Sequence, residues 1–215
     1  MTLHAFQQAL SELVLSPDLR AEVVDRGTDA LAAFDLDPRE QRRVLSIAKQ
    51  SGLGAGVLIH RSFRLSMIVR SLPGTCRLLG PRLSDLVHDY WREHLPLHYH
   101  FVWESCRFAG YLRGLVESET LAEPWLLDML RIDLACMALQ RGLNPEEVDL
   151  DPQSDGADLA EAATEDRLVV ICHHDPRPLL ADLDPDADGP FAPPSGQYRL
   201  VIRRQADGRL DFESI

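Results

Sequence analysis

The chain has 215 residues, a formal net charge of -12 and a sequence pI near 5.0. An acidic balance of this size argues against nucleic acid as the main partner. No stretch approaches the roughly 20 apolar residues of a membrane helix, and the first residues lack the basic and apolar regions of a signal peptide. We therefore expect a cytoplasmic protein with no membrane partner.

The charge is distributed unevenly along the chain. Between His60 and Arg113 there are eight arginines and four acidic residues, whereas acidic residues concentrate after residue 145. A basic middle in an acidic chain is consistent with a docking face for an acidic partner. We favour the alternative, a solvated surface in a protein that uses arginine instead of lysine, since Lys49 is the only lysine.

Three short helices are predicted in the first 50 residues. Apolar residues recur at helical spacing over residues 3–15. A serine followed by Pro17 is typical of a helix start, and Gly27 supplies the end of this second helix. Asp37 and Glu40 are spaced as a capping box, which predicts a third helix that ends near residue 50.

The middle of the chain is predicted to be entirely helical. Gly52-Leu-Gly-Ala-Gly56 lacks the lysine, the preceding strand and the acidic residue of nucleotide-binding loops, so we expect a flexible turn between helices there. A long helix should follow from about Val57 and end before Pro73-Gly74. Further helical segments are predicted near residues 75–80, 82–93, 99–116 and 123–141, with Gly142 as the last cap.

The last third of the chain changes in composition. Residues 143–166 are acidic and poor in large apolar groups, which indicates a linker. A β-branched apolar run at 167–172 predicts a strand, and the proline-rich residues 175–196 predict a loop. Two alternating segments, 197–204 and 209–215, flank Asp207-Gly208 and predict a hairpin.

These patterns predict an α+β protein. A helical domain occupies residues 1–142, an acidic linker occupies 143–166, and a small β domain occupies 167–215. Within the helical domain, N-terminal helices fill residues 1–50 and a helical core fills 57–141. The β domain should be an antiparallel sheet of about three strands.

The second predicted strand is the candidate binding surface of this sheet. An exposed sheet edge presents unpaired N–H and C=O groups, and a peptide can add to it as a further strand. The alternative is that the sheet only covers the helical domain. The candidate peptide-binding residues are Tyr198, Arg199, Leu200, Val201, Ile202, Arg203 and Arg204.

The four cysteines do not form a recognisable metal or disulfide pattern. They are widely separated, and each lies in an apolar neighbourhood where a thiol behaves as a small buried hydrophobe. They are Cys76, Cys106, Cys136 and Cys172.

The densest polar cluster comprises His94, His98, His100 and Glu104. Imidazoles with a carboxylate can ligate iron or zinc, but residues two apart on a helix point to different faces. We therefore favour packing and capping over a metal site.

No catalytic set is predicted. The chain has no Gly-x-Ser-x-Gly motif and no cysteine with a base nearby in sequence. Arg131 and Asp133 lie on the last long helix, and the Asp133 carboxylate is expected to pair with Arg61 or Arg64 across the bundle. Buried arginine–carboxylate pairs are commonly structural.

Residues 57–140 resemble a known family. The matching positions are Arg61-x-x-Arg64, Leu72-Pro73-x-Thr75, Leu78-Leu79-Gly80, Tyr90, His100-Phe101, Glu104, Phe108, Tyr111-Leu112, Trp125-Leu126-x-Asp128 and Asp133-x-Ala135. The run resembles the partner proteins of multinuclear non-haem iron-dependent oxidases. These include the small subunit of the methanobactin oxidase pair and its relatives in thiaglutamate-type peptide pathways.

The resemblance implies a specific role. Members form a heterodimer with a barrel-shaped oxidase that carries the iron, and their C-terminal sheet pairs with the leader of a ribosomally made precursor peptide. The oxidase then oxidises a cysteine of that peptide. Here this implies a non-catalytic subunit without a cofactor of its own, whose leader-binding surface lies around Tyr198 to Arg204.

Two other functions remain open from the sequence. Distant relatives of the helical domain have been labelled putative DNA-binding domains, although the negative charge and the lack of a basic recognition helix speak against DNA. A stand-alone metalloenzyme would have to use the histidine cluster around His94 to His100.

Overall fold

The chain folds as an α+β protein in which helices are followed by an antiparallel sheet. This computed structural model describes residues 3–94, 101–143, 166–181 and 192–214. The predicted acidic linker falls outside the described residues except at its two ends. His98 and His100 of the predicted histidine cluster also fall outside them.

The helices and strands follow the predicted order. The α-helices are α1 (Leu3–Leu15), α2 (Pro17–Arg26), α3 (Pro38–Ala48), α4 (Ser51–Ser71), α5 (Pro73–Leu79), α6 (Leu83–Glu93), α7 (Phe101–Glu117), α8 (Trp125–Arg141) and α9 (Pro176–Leu180). Short 3₁₀ turns span Gly27–Leu31 and Gly80–Arg82. The strands are β1 (Arg167–His174), β2 (Ser195–Arg204) and β3 (Leu210–Ser214).

The helix boundaries predicted from capping residues are confirmed. Ser16 accepts a backbone N–H in the first turn of α2 at 3.1 Å. Asp37 and Glu40 form the reciprocal capping box of α3. Gly27 and Gly142 end α2 and α8 with positive φ values of 70° and 63°, a conformation that glycine adopts without strain.

The glycine-rich segment at residues 52–56 is helical, so the prediction of a flexible turn there is wrong. The Arg20 side chain explains why glycine is accommodated. It donates hydrogen bonds to the carbonyl oxygens of Ala48 at 3.0 Å and Gln50 at 3.2 Å, where α3 ends. A Cβ at Gly54 would lie 2.8 Å from the Arg20 guanidinium. The absence of a side chain at Gly54 leaves space for Arg20. Each glycine in the helix lowers helix stability by roughly 1 kcal/mol relative to alanine.

The predicted loop at 175–196 contains the short helix α9, which is a second correction. Asp175 accepts the backbone N–H of Arg177 at 3.0 Å, and Pro176 occupies the first helical position. Helices α2 and α3 begin with the same combination of a capping side chain and a proline. Here the combination lies within a proline-rich segment, whose overall composition predicted a loop.

The helices and the sheet divide into two compact units. Among the described residues, the first comprises 3–66 and 88–94, and the second comprises 67–87, 101–143, 166–181 and 192–214. The expected boundary at residue 142 does not separate them, because α5, α7 and α8 belong to the same unit as the sheet.

The first unit is built on a core of small and aliphatic side chains. Its helices α1, α2 and α3 have 13, 10 and 11 residues, lengths that are marginal for an isolated helix in water. Packing of their apolar faces therefore supplies most of their stability. The buried residues of this core are Ala5, Ala9, Leu13, Val23, Leu31, Leu36, Val44 and Ala48.

The second unit is organised around α8, which is buried along most of its length. One part of the helix packs on α5, where Met129 lies so close to Gly74 that a Cβ there would clash with the Met129 methyl carbon. Another part lies against β1, and the carbonyl oxygen of Leu139 near its C-terminus accepts a hydrogen bond from Arg204 of β2 at 2.7 Å. The helix thus connects α5 with the sheet.

Candidate functional site

The sheet has the order β1-β2-β3, so β2 is its central strand. Residues 200–203 of β2 pair with β1 on one side and with β3 on the other. Arg204 pairs with β3 and, on its other side, with Asp166, the residue just before β1. All seven predicted peptide-binding residues, Tyr198, Arg199, Leu200, Val201, Ile202, Arg203 and Arg204, lie on this strand. The expectation that the segment forms a sheet edge is therefore wrong for residues 200–204, because both sides of their backbone are already paired.

The hydrogen bonds at the ends of β2 show which residues face which neighbour. The N–H of Arg204 donates to the carbonyl oxygen of Asp166 at 2.8 Å, on the β1 side. The N–H of Gln205 donates to the carbonyl oxygen of Arg209 at 2.8 Å, on the β3 side. Since backbone groups alternate in direction along a strand, even-numbered residues of β2 bond to β1 and odd-numbered residues bond to β3.

This alternation shows which backbone N–H and C=O groups of β3 point away from β2. Asp211 and Glu213 pair with Arg203 and Val201, so their N–H and C=O groups face β2. The backbone groups of Phe212, between them, point away from β2. The N–H donates to Oδ1 of Asp211 at 3.1 Å, and the ring is 40% exposed. Residues 211–214 are all exposed. Within the described part of the chain, no element covers the outer edge of β3.

The outer edge of β1 is closed at one end. By the same alternation the N–H of His173 points away from β2, and it donates to Oδ1 of Asp128 on α8 at 3.0 Å. The strand pairing also shifts register between Cys172 and His174, which turns this end of the strand. The edge formed by β3 is therefore the better candidate for an added strand.

Asp128 is a buried carboxylate with three hydrogen-bond partners. It is 1% exposed, and besides the His173 N–H its oxygens contact Nη1 of Arg131 at 3.0 Å and Nδ1 of His174 at 2.8 Å. An ionised carboxylate only accepts hydrogen bonds, so Nδ1 of His174 is the donor. The His174 ring is thereby fixed in orientation, and the end of β1 is attached to α8.

A carboxylate–imidazole pair also occurs at metal sites and around general bases, where it orients the histidine. Among the described residues, no group of three or more His, Cys, Asp and Glu side chains is placed to hold a metal ion. The contacts of Asp128 that the structure shows are those of an anchor between a helix and a strand.

Arg203 and Arg204, which the sequence placed together at the binding surface, have different surroundings. Arg204 donates to the Leu139 carbonyl oxygen and forms an ion pair with Asp166 at 2.7 Å. Arg203 lies on the exposed face and pairs with Glu213 of β3 at 2.9 Å. Arg204 therefore attaches β2 to the end of α8, whereas Arg203 connects the two strands of the hairpin.

Asp133 caps α5 from a distant position in the sequence. Its carboxylate accepts the N–H groups of Gly74 at 3.2 Å and Thr75 at 2.7 Å, whereas the residue that begins α5 provides no side-chain cap of its own. The sequence had led us to expect an arginine partner across the bundle. Burial raises the pKa of Asp133 from 3.8 to about 6, despite the hydrogen bonds from Thr75 and Gly74 that lower it.

The cysteines are free thiols in the structure, and two of them, Cys76 and Cys172, are buried as expected. Burial raises the pKa of Cys76, Cys136 and Cys172 to about 12. These thiols stay protonated near neutral pH, so they act as small hydrophobic side chains and not as nucleophiles.

The first unit contains a separate cluster of arginine and aromatic side chains. Arg61 and Arg64 lie over the Trp91 ring, with centroid distances of 5.5 and 5.1 Å, and Arg64 is 5.9 Å from the centre of the Tyr90 ring. His94 stacks on Tyr90 at 4.9 Å. His94, which the sequence placed in a possible metal cluster, therefore packs on an aromatic ring, and cation–π contacts hold the two arginines.

The composition of the two hairpin strands favours β3 as the edge strand, although it does not show where β1 pairs. Leu200-Val201-Ile202 is an uninterrupted apolar run, as expected for a central strand covered on both faces. The β3 sequence carries Asp211 and Glu213, and charges are common on edge strands. By contrast, the contact of Asp128 with β1 joins residues 45 apart and has no local sequence signal.

No family model matches the sequence, and no curated protein has significant similarity to it. In the part of the chain that the structure describes, no helix has both the length and the apolar content needed to cross a membrane.

Proposed function

We propose that this chain is the non-catalytic partner subunit of a multinuclear non-haem iron oxidase. In this proposal it binds the leader of a ribosomally made precursor peptide and presents a cysteine of that peptide to the oxidase. The iron belongs to the oxidase, and the complex acts in the cytoplasm. The proposal combines the resemblance of residues 57–140 with one structural observation, the open outer edge of β3.

The open edge supports peptide binding through the main chain. A strand added beside β3 would exchange hydrogen bonds with the outward N–H and C=O groups of Phe212, whatever the sequence of the leader. It would replace the exposed Asp211 carboxylate as the acceptor of that N–H. Side chains then set the register. Phe212 would contact an apolar leader residue on one face, whereas Asp211 and Glu213 on the other face would favour basic or polar leader residues.

The surroundings of the edge also fit a positioning role. β3 pairs with β2, and β2 is attached to α8 through the Arg204 contact with Leu139. A peptide on β3 would therefore lie on a strand that is fixed to the buried helix of this unit. Such an attachment gives a bound leader a defined direction, as presentation of a distant core cysteine requires.

Replacing Phe212 by proline tests the assignment of the edge. Proline removes the outward N–H and places its ring where the added strand would pair, but it leaves the bonds of Asp211 and Glu213 to β2 in place. We expect leader affinity to fall about tenfold or more, which is the loss of roughly one main-chain hydrogen bond. The measurement is fluorescence anisotropy with a labelled leader of the proposed cysteine-bearing precursor.

Phe212→Ala is the matched control, because it removes the same ring but keeps the N–H group. The alanine variant should bind the leader more tightly than the proline variant. Equal affinities of the two variants would show that the leader does not add to this edge. Arg204 is unsuitable for such a test, since its replacement would also detach β2 from α8.

A further inference from the structure

The acidic side chains of β3 lie on one face of its open edge. Asp211 and Glu213 are two positions apart in the strand, so their side chains point to the same side of the sheet. Phe212 between them points to the other side, and all three residues are exposed. A strand added to this edge would therefore meet two carboxylates on one face and an aromatic ring on the other.

The Asp211 carboxylate occupies a backbone group that an added strand needs. Its Oδ1 accepts the outward N–H of Phe212 at 3.1 Å. A strand that pairs with β3 supplies a carbonyl oxygen to that N–H, so the carboxylate loses this hydrogen bond. A cationic side chain on the added strand replaces the lost interaction, whereas an acidic side chain adds repulsion.

The Glu213 carboxylate can take a further partner although it already has an ion pair. It contacts Nη1 of Arg203 at 2.9 Å, and the two side chains are 53% and 45% exposed. An ion pair this exposed contributes little to stability, and a carboxylate accepts several hydrogen bonds. Arg209, nearer the turn, pairs with Asp207. Arg203 thus offsets one of the two negative charges on this face of β3, and a net negative charge remains beside the edge.

The same two carboxylates disfavour pairing of β3 with the β3 of a second copy. An antiparallel pair centred on Phe212 would place Asp211 of each copy opposite Glu213 of the other. A shift by two residues would place Asp211 or Glu213 opposite its own counterpart. Like charges directly opposite one another destabilise a strand pair, and charged residues commonly protect edge strands from self-pairing. The edge therefore favours a strand of opposite charge over a second copy.

We propose that Asp211 and Glu213 make the outer edge of β3 selective for an extended peptide with basic residues at alternate positions and an apolar residue between them. In an antiparallel pair the apolar residue lies opposite Phe212, and each basic residue lies opposite one carboxylate. These charged positions are the non-hydrogen-bonded pairs, in which side chains lie closest. This inference rests on the proposed function, because it specifies the leader segment that binds there.

The test is fluorescence anisotropy of the purified chain with two labelled synthetic nonapeptides. The central residues are Lys-Val-Lys in one peptide and Glu-Val-Glu in the other, and the flanking threonines are the same. The wild type should bind the Lys-Val-Lys peptide at least about tenfold more tightly. The double variant Asp211→Lys, Glu213→Lys should prefer the Glu-Val-Glu peptide. Both positions are exposed, so the thermal unfolding midpoint should stay close to that of the wild type.

The double variant Asp85→Lys, Asp89→Lys is the matched control. It makes the same change in net charge at two exposed residues of α6. It should keep the wild-type preference for the Lys-Val-Lys peptide, because the edge of β3 is unchanged.

The possible outcomes separate the inference from the proposed function. Equal binding of the two peptides by the wild type, or binding of neither, would overturn the inference. A wild-type dimer in analytical ultracentrifugation that Phe212→Pro dissociates would also overturn it, since a second copy would then occupy the edge. The proposed function is tested separately by the leader affinity of Phe212→Pro, so it can stand when charge selection fails.

Discussion

Replacement of Asp128 by alanine is expected to lower the free energy of unfolding by roughly 3–5 kcal/mol. The substitution removes a 1% exposed carboxylate that contacts Arg131, the His173 N–H and His174. Each of these groups is at least partly buried, so it cannot fully regain its hydrogen bond from water. Leaving buried donors unpaired costs more than the net value of the bonds themselves.

The expected loss includes a local effect at the sheet. Asp128 attaches the His173 end of β1 to α8, so the alanine variant should also lose hydrogen-exchange protection in β1 before it unfolds globally. The measurement is urea denaturation followed by circular dichroism, together with hydrogen exchange of the β1 amides.

Asp89→Ala is the matched control for Asp128→Ala. Asp89 also pairs with an arginine three residues later on a helix, but the Asp89 and Arg92 side chains are 54% and 70% exposed. Exposed pairs of this kind contribute little, so this variant should change the free energy of unfolding by less than about 0.5 kcal/mol. A loss at Asp128 no larger than the loss at Asp89 would contradict the anchoring role.

The second large effect is expected in the pH dependence of stability. Burial raises the pKa of Asp133 to about 6 from an ordinary value of 3.8, so the folded protein binds this proton more tightly than the unfolded chain does. The stability that this group contributes is therefore fully present below pH 3.8 and is lost as the pH rises through 6. A shift of this size corresponds to roughly 3 kcal/mol.

The variant Asp133→Asn isolates this contribution, because the amide has nearly the same shape and does not titrate in this range. The free energy of unfolding of the wild type, minus that of the variant, should fall by roughly 2–3 kcal/mol between pH 4 and pH 7. Denaturation curves at matched pH values measure the difference, and contributions of all other groups cancel in it. A difference that is constant or rises with pH would show that the folded protein does not favour the protonated form of Asp133.

The elements that local sequence patterns define were predicted well. Ser16 with Pro17, and Asp37 with Glu40, supply hydrogen bonds within a single turn, so their helices begin where the residues indicate. The hairpin around Asp207-Gly208 is likewise a local structure, and it forms as predicted. These features need no information from elsewhere in the chain.

The features that depend on distant contacts were not predicted. Arg20 occupies the space beside Gly54 at the glycine-rich start of α4, and α5 is capped by Asp133 from about 60 residues away. The order of the three strands is also a tertiary property. The hairpin sequence fixes the pairing of β2 with β3 but not the side on which β1 adds, and that side decides which edge is open.

For the predicted binding surface, local sequence also identified the strand but not its position in the sheet. Alternation in the segment from Tyr198 to Arg204 correctly indicated a strand with an apolar face. Whether this segment is an edge strand depends on where β1 pairs, and β1 begins about 30 residues earlier in the sequence. In the structure the candidate edge strand is β3 and not β2. Arg203 of β2 is exposed and pairs with Glu213 of β3.

The most direct test of the accessory-subunit proposal is co-expression of this chain with the proposed iron oxidase partner, followed by size-exclusion chromatography and iron analysis of each peak. We expect a one-to-one complex in which iron follows the oxidase, and this chain alone should carry no stoichiometric metal. Separate elution of the two proteins, with metal bound to this chain, would contradict the proposal.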